Sequence, residues 1–181
     1  MQDSREHRKI LMMLVENNYG VTSRISGVFS RRGFNIDSYT GCDTLDPRYS
    51  RITVVVRGDD RSLEQIEKQV SKIEDVLYIT DLAKSDSVTR ELMLIKLRVM
   101  PESRSNIMAI SNIFHGKVVD VTRDSMIIEV SGRPEKLQSL VDLLQDYEIL
   151  EVANTGMVGL ERGSETVRRP DDMVTASGRK A

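Results

Sequence analysis

The sequence predicts an α+β protein made of two tandem βαββαβ units. Apolar runs bounded by turn-forming residues are typical of strands, and apolar residues at helical spacing between them are typical of helices. The same order of elements then returns. The second halves of the two units align at an offset of 74 residues, which matches Gly58 with Gly132 and Leu63 with Leu137. Such a repeat indicates two similar units rather than one large domain.

The first strand and the first helix are the best defined elements of the first unit. The run KILMMLV is apolar throughout, which is typical of a strand buried on both faces, although a short buried helix would also suit it. A helix is predicted over 21–32, where apolar residues recur at helical spacing. We expect Thr22 or Ser23 to cap its start and Gly33 to follow its end.

The other elements follow in the same order in both units. In the first unit, FNIDSYTGC and SRITVVV are predicted strands, a helix follows them, and DVLYITDL is the last strand. In the second, the elements are ELMLIKLRV (strand), SNIMAISNIF (helix), KVVDVT and SMIIEVS (strands), PEKLQSLVDLL (helix) and EILEVAN (strand). This order suggests a ferredoxin-like fold, in which both helices cover one face of an antiparallel sheet. The other face and an edge need cover, so we expect a dimer.

These elements predict two domains and a tail. The first domain is expected over 8–83 and the second over 90–160. The remainder, 161–181, combines mixed charge with a lack of aromatic residues, so we expect a flexible tail, disordered from about Ser164.

Composition excludes several classes of function. The net charge of -2 and the pI of about 5.8 argue against a nucleic-acid binder, because such proteins usually carry a basic face. A single Cys excludes an intramolecular disulfide, and with only two His the composition argues against a metal cluster. No apolar run approaches a membrane span and the N-terminus lacks a signal peptide, so we expect a cytoplasmic protein.

The loop before the first helix has the properties of a small-molecule site. Free N–H groups at the helix start carry partial positive charge and can hold a carboxylate. Gly20 permits close approach and an unusual backbone angle, while Asn17 and Asn18 offer amide donors and acceptors. The same NNYG sequence also suits an ordinary tight turn.

Asn35 opens the strand beyond the far end of the same helix, away from Asn17 in a single chain. Across a two-fold axis, Asn35 of one copy would approach the loop of the other. The resulting pocket would have a carboxylate seat, amides for an ammonium group, and apolar walls from Val21 and Ile36. This chemistry suits a small apolar amino acid.

A long stretch of the sequence resembles one known family. The motifs LVENNYGVTSRISGVFSRRGFNIDS and DPRYSRITVVV are similar to those of the small regulatory subunit of acetohydroxyacid synthase, also called acetolactate synthase. The resemblance continues through LEQIEKQVSKIEDVLYI, RELMLIKL, IFHGKVVDVT and GMVGLERG. It extends from Arg8 to Gly163 and leaves out only the two termini.

The resemblance implies a regulatory subunit without catalytic activity. It implies an N-terminal ACT domain, a C-terminal ACT-like domain and a homodimer that binds valine, or a related branched-chain amino acid, between paired ACT domains. The partner would be a catalytic large subunit that holds thiamine diphosphate, Mg²⁺ and flavin, so we expect no cofactor on this chain. Carried over by motif, the effector-binding residues are Asn17, Gly20, Val21, Asn35 and Ile36. Tyr19 and Thr22 depart from the residues usual in the family and put effector preference in question.

Other chemistry finds little support in the sequence. Cys42 has no His near it, so we expect a buried or half-buried small side chain, and we expect His115 to be a helix cap or surface residue. Asp59 and Asp60 suit a helix start. An acylphosphatase-like hydrolase would need an Arg in the loop ENNYG, which has none. An RNA-recognition module would need aromatic residues on its central strands, and these strands have none. A stand-alone ACT sensor that regulates a different enzyme is the remaining alternative.

Overall fold

The fold is given by a computed structural model that describes residues 7–164 together with 166 and 167. The chain forms two compact units. One extends to Val88 and takes in the chain again from Gly159, and the other is Thr89–Val158. The bounds predicted for the two domains, and the functions assigned to these domains, stay a prediction. Most of the predicted flexible tail lies outside the described residues.

The first unit has the predicted βαββαβ order. Its elements are β1 (His7–Glu16), α1 (Val21–Arg31), β2 (Ile36–Asp43), β3 (Tyr49–Gly58), α2 (Asp60–Val70) and β4 (Val76–Asp81). The strands form one antiparallel sheet in the order β2-β3-β1-β4, so β2 and β4 are its edges. This is the ferredoxin-like arrangement predicted from the sequence.

Both helices cover the same face of this sheet, because one buried cluster contains residues of each. The cluster comprises Leu11, Met13, Val15, Val21, Ile25, Phe29, Ile52, Val54, Val56, Leu63, Ile66 and Val70. Full burial of such a side chain stabilises the fold by about 1.5–3 kcal/mol. On the opposite face, Met12 and Val55 are also buried. The prediction that the first strand is buried on both faces is therefore confirmed.

The second unit repeats the order. Its elements are β5 (Ser87–Arg98), α3 (Arg104–Ile113), β6 (Lys117–Val121), β7 (Ser125–Gly132), α4 (Pro134–Leu143) and β8 (Ile149–Asn154). Its sheet has the order β6-β7-β5-β8. The helices α2 and α4 begin 74 residues apart, which confirms the predicted repeat. A further strand, β9 (Val158–Glu161), was not predicted because four residues are too few to show periodicity.

The start of α1 differs from the prediction. Gly20 occupies the N-cap position, and no side chain caps the helix there. Thr22 and Ser23 lie one and two residues inside the helix, so the prediction that one of them caps its start was wrong. A cap must precede the first helical residue for its side chain to reach the free N–H groups.

The end of α1 agrees with the prediction. Gly33 adopts a left-handed conformation with φ 72° just after the helix. Its N–H donates to the carbonyl of Ser30, and the N–H of Phe34 donates to the carbonyl of Phe29, each at 3.1 Å. These two bonds form a Schellman motif, which turns the chain sharply and begins the approach to β2.

The positions predicted for His115 after one helix and for Asp59 at the start of another are confirmed. His115 is exposed and follows α3 with φ 53°, a left-handed conformation that ends the helix. The Asp59 side chain accepts the N–H of Ser62 at 3.0 Å and so caps α2.

Cys42 is exposed, so the expectation of a buried or half-buried side chain was wrong. It lies on the edge strand β2, where it pairs with Arg51. Arg51 precedes Ile52, which faces the helices, so both Arg51 and Cys42 lie on the face that the helices leave uncovered.

A buried ionic cluster joins α2 to the sheet. Lys9 of β1 forms an ion pair with Glu67 of α2, and its Nζ lies 3.9 Å from Oδ2 of Asp81. The side chains of Lys9 and Asp81 are both only 6% exposed. The Asp81 Oδ1 atom also accepts the N–H groups of Ile10 and Ala83 at 3.2 and 3.1 Å. A single buried cation therefore faces two carboxylates, of which Asp81 is buried and Glu67 is partly exposed.

We predict that Lys9→Met destabilises the protein by about 3 kcal/mol, because removal of one partner leaves the buried Asp81 carboxylate without its counter-charge. Urea unfolding followed by circular dichroism measures the change. Lys68→Met is the matched control, since Lys68 is a 74% exposed lysine on α2 and its substitution should change stability by no more than about 0.5 kcal/mol. Equal effects of the two substitutions would contradict a stabilising role for Lys9.

Candidate functional site

The predicted site residues lie at the two ends of α1. Asn17, Gly20 and Val21 are at its start, and Asn35 and Ile36 follow its end. A helix of 11 residues is about 16 Å long, since each residue adds about 1.5 Å. The predicted site of one chain therefore consists of two separate half-sites rather than one complete pocket.

The start of α1 has the features of an anion-binding site. Gly20 has φ 80°, no side chain caps the helix, and its first turn contains no acidic residue. The free N–H groups and the positive end of the helix dipole are thus not neutralised by the helix's own side chains. The start of α2 differs, because Asp59 caps it and Asp60 follows in its first turn.

Arg24 adds a positive charge to this anion-binding site. The sequence analysis did not identify Arg24 as a site residue. A Cβ atom at Gly20 would lie 3.2 Å from the Arg24 Nη1 atom, so the guanidinium group lies beside the open side of the glycine. Arg24 follows Gly20 by four residues, which is one helical turn. That spacing is the signal in the sequence from which its position could have been inferred.

Asp75 orients the Arg24 side chain. Its Oδ2 atom accepts from Arg24 Nε at 2.8 Å, and its Oδ1 atom accepts from the Asn18 amide at 3.3 Å. The Arg24 guanidinium holds the pKa of the Asp75 carboxyl below its ordinary value of 3.8, against the opposing effect of desolvation, and the Asn18 amide assists. The Asn18 amide also donates to Glu16 at 2.8 Å, so this side chain holds the loop.

Asn17 and Val21 have more limited freedom than the sequence suggested. The Asn17 amide nitrogen donates to the Pro47 carbonyl at 3.1 Å, which joins the loop to the turn between β2 and β3. Its carbonyl oxygen is the part of the side chain left to meet a ligand. Val21 is only 4% exposed because it packs in the core, so it fixes the helix start rather than forming an open apolar wall.

The second half-site lies beyond the end of α1. Asn35 is exposed, whereas Ile36 is half-buried against the core. Asn35 lines an open cleft of about 490 Å³. The other lining residues are Arg32, Gly33, Phe34, Asp37, Arg57, Gly58, Asp59 and Ser62. The cleft thus combines two arginines with two aspartic acids.

The described residues 7–164, 166 and 167 contain neither a metal-ion cluster nor a membrane-spanning helix. Within these ranges, no cluster of three or more His, Cys, Asp or Glu side chains could hold a metal ion. In the same part of the chain, no helix is long and apolar enough to cross a membrane.

We predict that Asp75→Asn lowers stability near neutral pH, and that its deficit relative to the unsubstituted chain shrinks as the pH falls below 3.8. A carboxyl whose pKa is lowered by folding stabilises the protein above its ordinary pKa, and this contribution is lost as the pH falls through the folded-state value. Urea midpoints of both proteins at several pH values measure the deficit. A deficit that stays constant with pH would exclude the Arg24 pairing as its cause.

Comparisons with known proteins cover both units. Residues 11–78 match the family described as AHAS small subunit-like ACT domain, and residues 90–163 match the family described as small subunit of acetolactate synthase. The probable acetolactate synthase small subunit of Methanothermobacter thermautotrophicus is 43% identical over 159 residues, which cover 87% of this chain and 95% of that protein. The acetolactate synthase isozyme 3 small subunit of Escherichia coli K12 is 41% identical over 162 residues, which cover 89% and 99%.

A solved structure agrees with the sequence relatives. The crystal structure of the acetolactate synthase small subunit from Thermotoga maritima superposes with a TM-score of 0.79 at 37% identity. The match covers 88% of this chain and 99% of that one. Fold and sequence thus agree along nearly the whole length of these relatives, and the chain belongs to the acetolactate synthase small-subunit family.

Proposed function

We propose that this chain is a cytoplasmic, non-catalytic regulatory subunit of acetolactate synthase in branched-chain amino-acid biosynthesis. It activates a catalytic large subunit and confers feedback inhibition by valine, or by a related branched-chain amino acid. Thiamine diphosphate, Mg²⁺ and flavin belong to that partner, and this chain holds no cofactor. The effector binds between the ACT domains of two copies.

The observation that carries the proposal is the uncapped start of α1. Gly20 at φ 80° places no side chain over the helix start, no side chain caps it, and the Arg24 guanidinium lies beside Gly20. Backbone donors, the helix dipole and a guanidinium group all favour a carboxylate. The effector carboxylate would therefore lie next to Gly20.

A second copy would complete the site. Asn35 and Ile36 lie at the other end of α1, so they would meet the Gly20 loop of a partner rather than their own. The amide oxygens of Asn17 and Asn35 can accept from the effector ammonium, and Ile36 can contact its apolar side chain. Tyr19 is fully exposed in the same loop and offers an aromatic ring to the partner copy.

A ligand that touches both copies can couple binding to activity. It shifts the dimer toward the arrangement that it binds better, and the coupling typically amounts to about 1–3 kcal/mol. The deciding experiment is reconstitution with the catalytic large subunit, assayed with and without valine. Activation followed by valine inhibition is expected. Valine binding by the isolated chain without any effect on the large subunit would instead favour the stand-alone ACT sensor.

We predict that the isolated chain binds valine, leucine or isoleucine with a stoichiometry set by the dimer. Calorimetric titration with each amino acid measures the binding. Absence of heat with all three, from a folded dimer, would refute the effector proposal.

We further predict that Gly20→Asp weakens valine binding by about tenfold or more, because its carboxylate would pair with Arg24 and repel the effector carboxylate. The complex should then keep its activation and lose its valine inhibition. Inhibition assays and calorimetry measure the two effects.

Gly20→Asn is the matched control for this substitution. Asn and Asp have the same shape and both tolerate left-handed backbone, so the two variants share any strain and steric hindrance and differ in charge. Gly20→Asn should therefore retain more valine affinity. Equal losses in the two variants would show that shape alone matters, and normal inhibition in Gly20→Asp would place the site elsewhere.

A further inference from the structure

Two consecutive residues at the end of β3 hold the segment that carries the second half-site. Arg57 forms an ion pair with Asp37, and the Phe34 ring lies beside Gly58. Asn35 and Ile36, both proposed to bind the effector, lie between these two contacts in the chain. We name the pair Arg57 and Gly58 the clasp.

The contact of the clasp with Phe34 depends on the absence of a side chain at Gly58. A Cβ atom at this position would lie 3.0 Å from Cε1 of Phe34, which is closer than ordinary van der Waals contact. The Phe34 ring is half-buried and packs against the core of the first unit. The glycine therefore lets the ring lie against β3, and this contact fixes the residue immediately before Asn35.

The ion pair between Arg57 and Asp37 fixes a bulge. The pairing of β2 with β3 shifts register between Ile36 and Ser38, which leaves Asp37 as the extra residue. Its Oδ2 atom accepts from Arg57 Nε at 2.6 Å, and its side chain is 26% exposed. A bulge redirects the side chains next to it. The ion pair thus holds the residue immediately after Ile36.

We propose that Arg57 and Gly58 are positioning residues of the effector site: they set the direction of Asn35 and Ile36 without touching the effector. The proposal rests on the proposed function only for its effect on binding. The clasp itself is a property of the single chain. The segment needs such support because Asn35 is exposed and lies between the end of α1 and the start of β2, outside both.

The test compares Arg57→Met, Asp37→Asn and the double variant in the full chain. Hydrogen exchange of residues 34–38, followed by mass spectrometry, reports the order of the segment without any effector. Valine titration of the same proteins reports the site. A clasp formed by one ion pair predicts faster exchange in all three variants and an affinity loss of about two- to fivefold, no larger in the double variant than in either single one.

Two further substitutions separate positioning from general destabilisation. Arg98→Met removes an ion pair of the same kind in the second unit, where Arg98 Nε lies 3.0 Å from Glu148 Oε2, and it should leave both measurements unchanged. Gly58→Ala displaces Phe34 without changing any charge, so it should also speed exchange and weaken binding.

The outcomes are distinct. Unchanged exchange of residues 34–38 in Arg57→Met overturns the clasp, and faster exchange with unchanged valine affinity overturns its role in the effector site. An unsubstituted chain that binds none of the three amino acids overturns the proposed function, and the exchange measurement then still decides whether the clasp orders this segment.

Discussion

The packing of α1 against the sheet is the constraint on which the proposed site depends. Val21, Ile25 and Phe29 are buried at helical spacing, and they hold the helix over the central strands. Because Val21 is the first helical residue, its burial fixes the position of Gly20 and of the free N–H groups beside it. The burial of Phe29 near the other end fixes the turn toward Asn35. The packing that stabilises the first unit thus separates the two half-sites by the length of the helix.

Electrostatics then distinguishes the two helices of the first unit. The helix α2 neutralises its own start with Asp59 and Asp60 and pairs Glu67 with the buried Lys9, so its charges are used within the fold. The helix α1 has an uncapped start with Arg24 beside it. The Nε atom of Arg24 donates to Asp75, which orients the guanidinium group, and its Nη1 atom lies beside Gly20. Two helices of equal length in one fold therefore differ in the charge that surrounds their starts.

Much of the fold could be predicted because its signals are local and repeated. Apolar periodicity identified α1 to within one residue of its observed end, and the repeat predicted the second unit from the first. The misses have physical causes. The strand β9 is too short to show a period, and Cys42 is exposed because it lies on an edge strand and on the face that the helices leave uncovered. Burial at such a position depends on neighbours that are distant in sequence.

The family, the order of elements and the residues at both ends of α1 follow from the sequence alone, since each of these is encoded in contiguous motifs. The tertiary structure sets the surroundings of the predicted site residues. It assigned Asn18 to the loop, Val21 to the core and the Asn17 amide nitrogen to Pro47, and it brought Arg24 beside Gly20 and Arg57 to Asp37. The reason is that contacts between residues as far apart as Asn17 and Pro47 arise from the pairing of strands and leave no local pattern in the sequence.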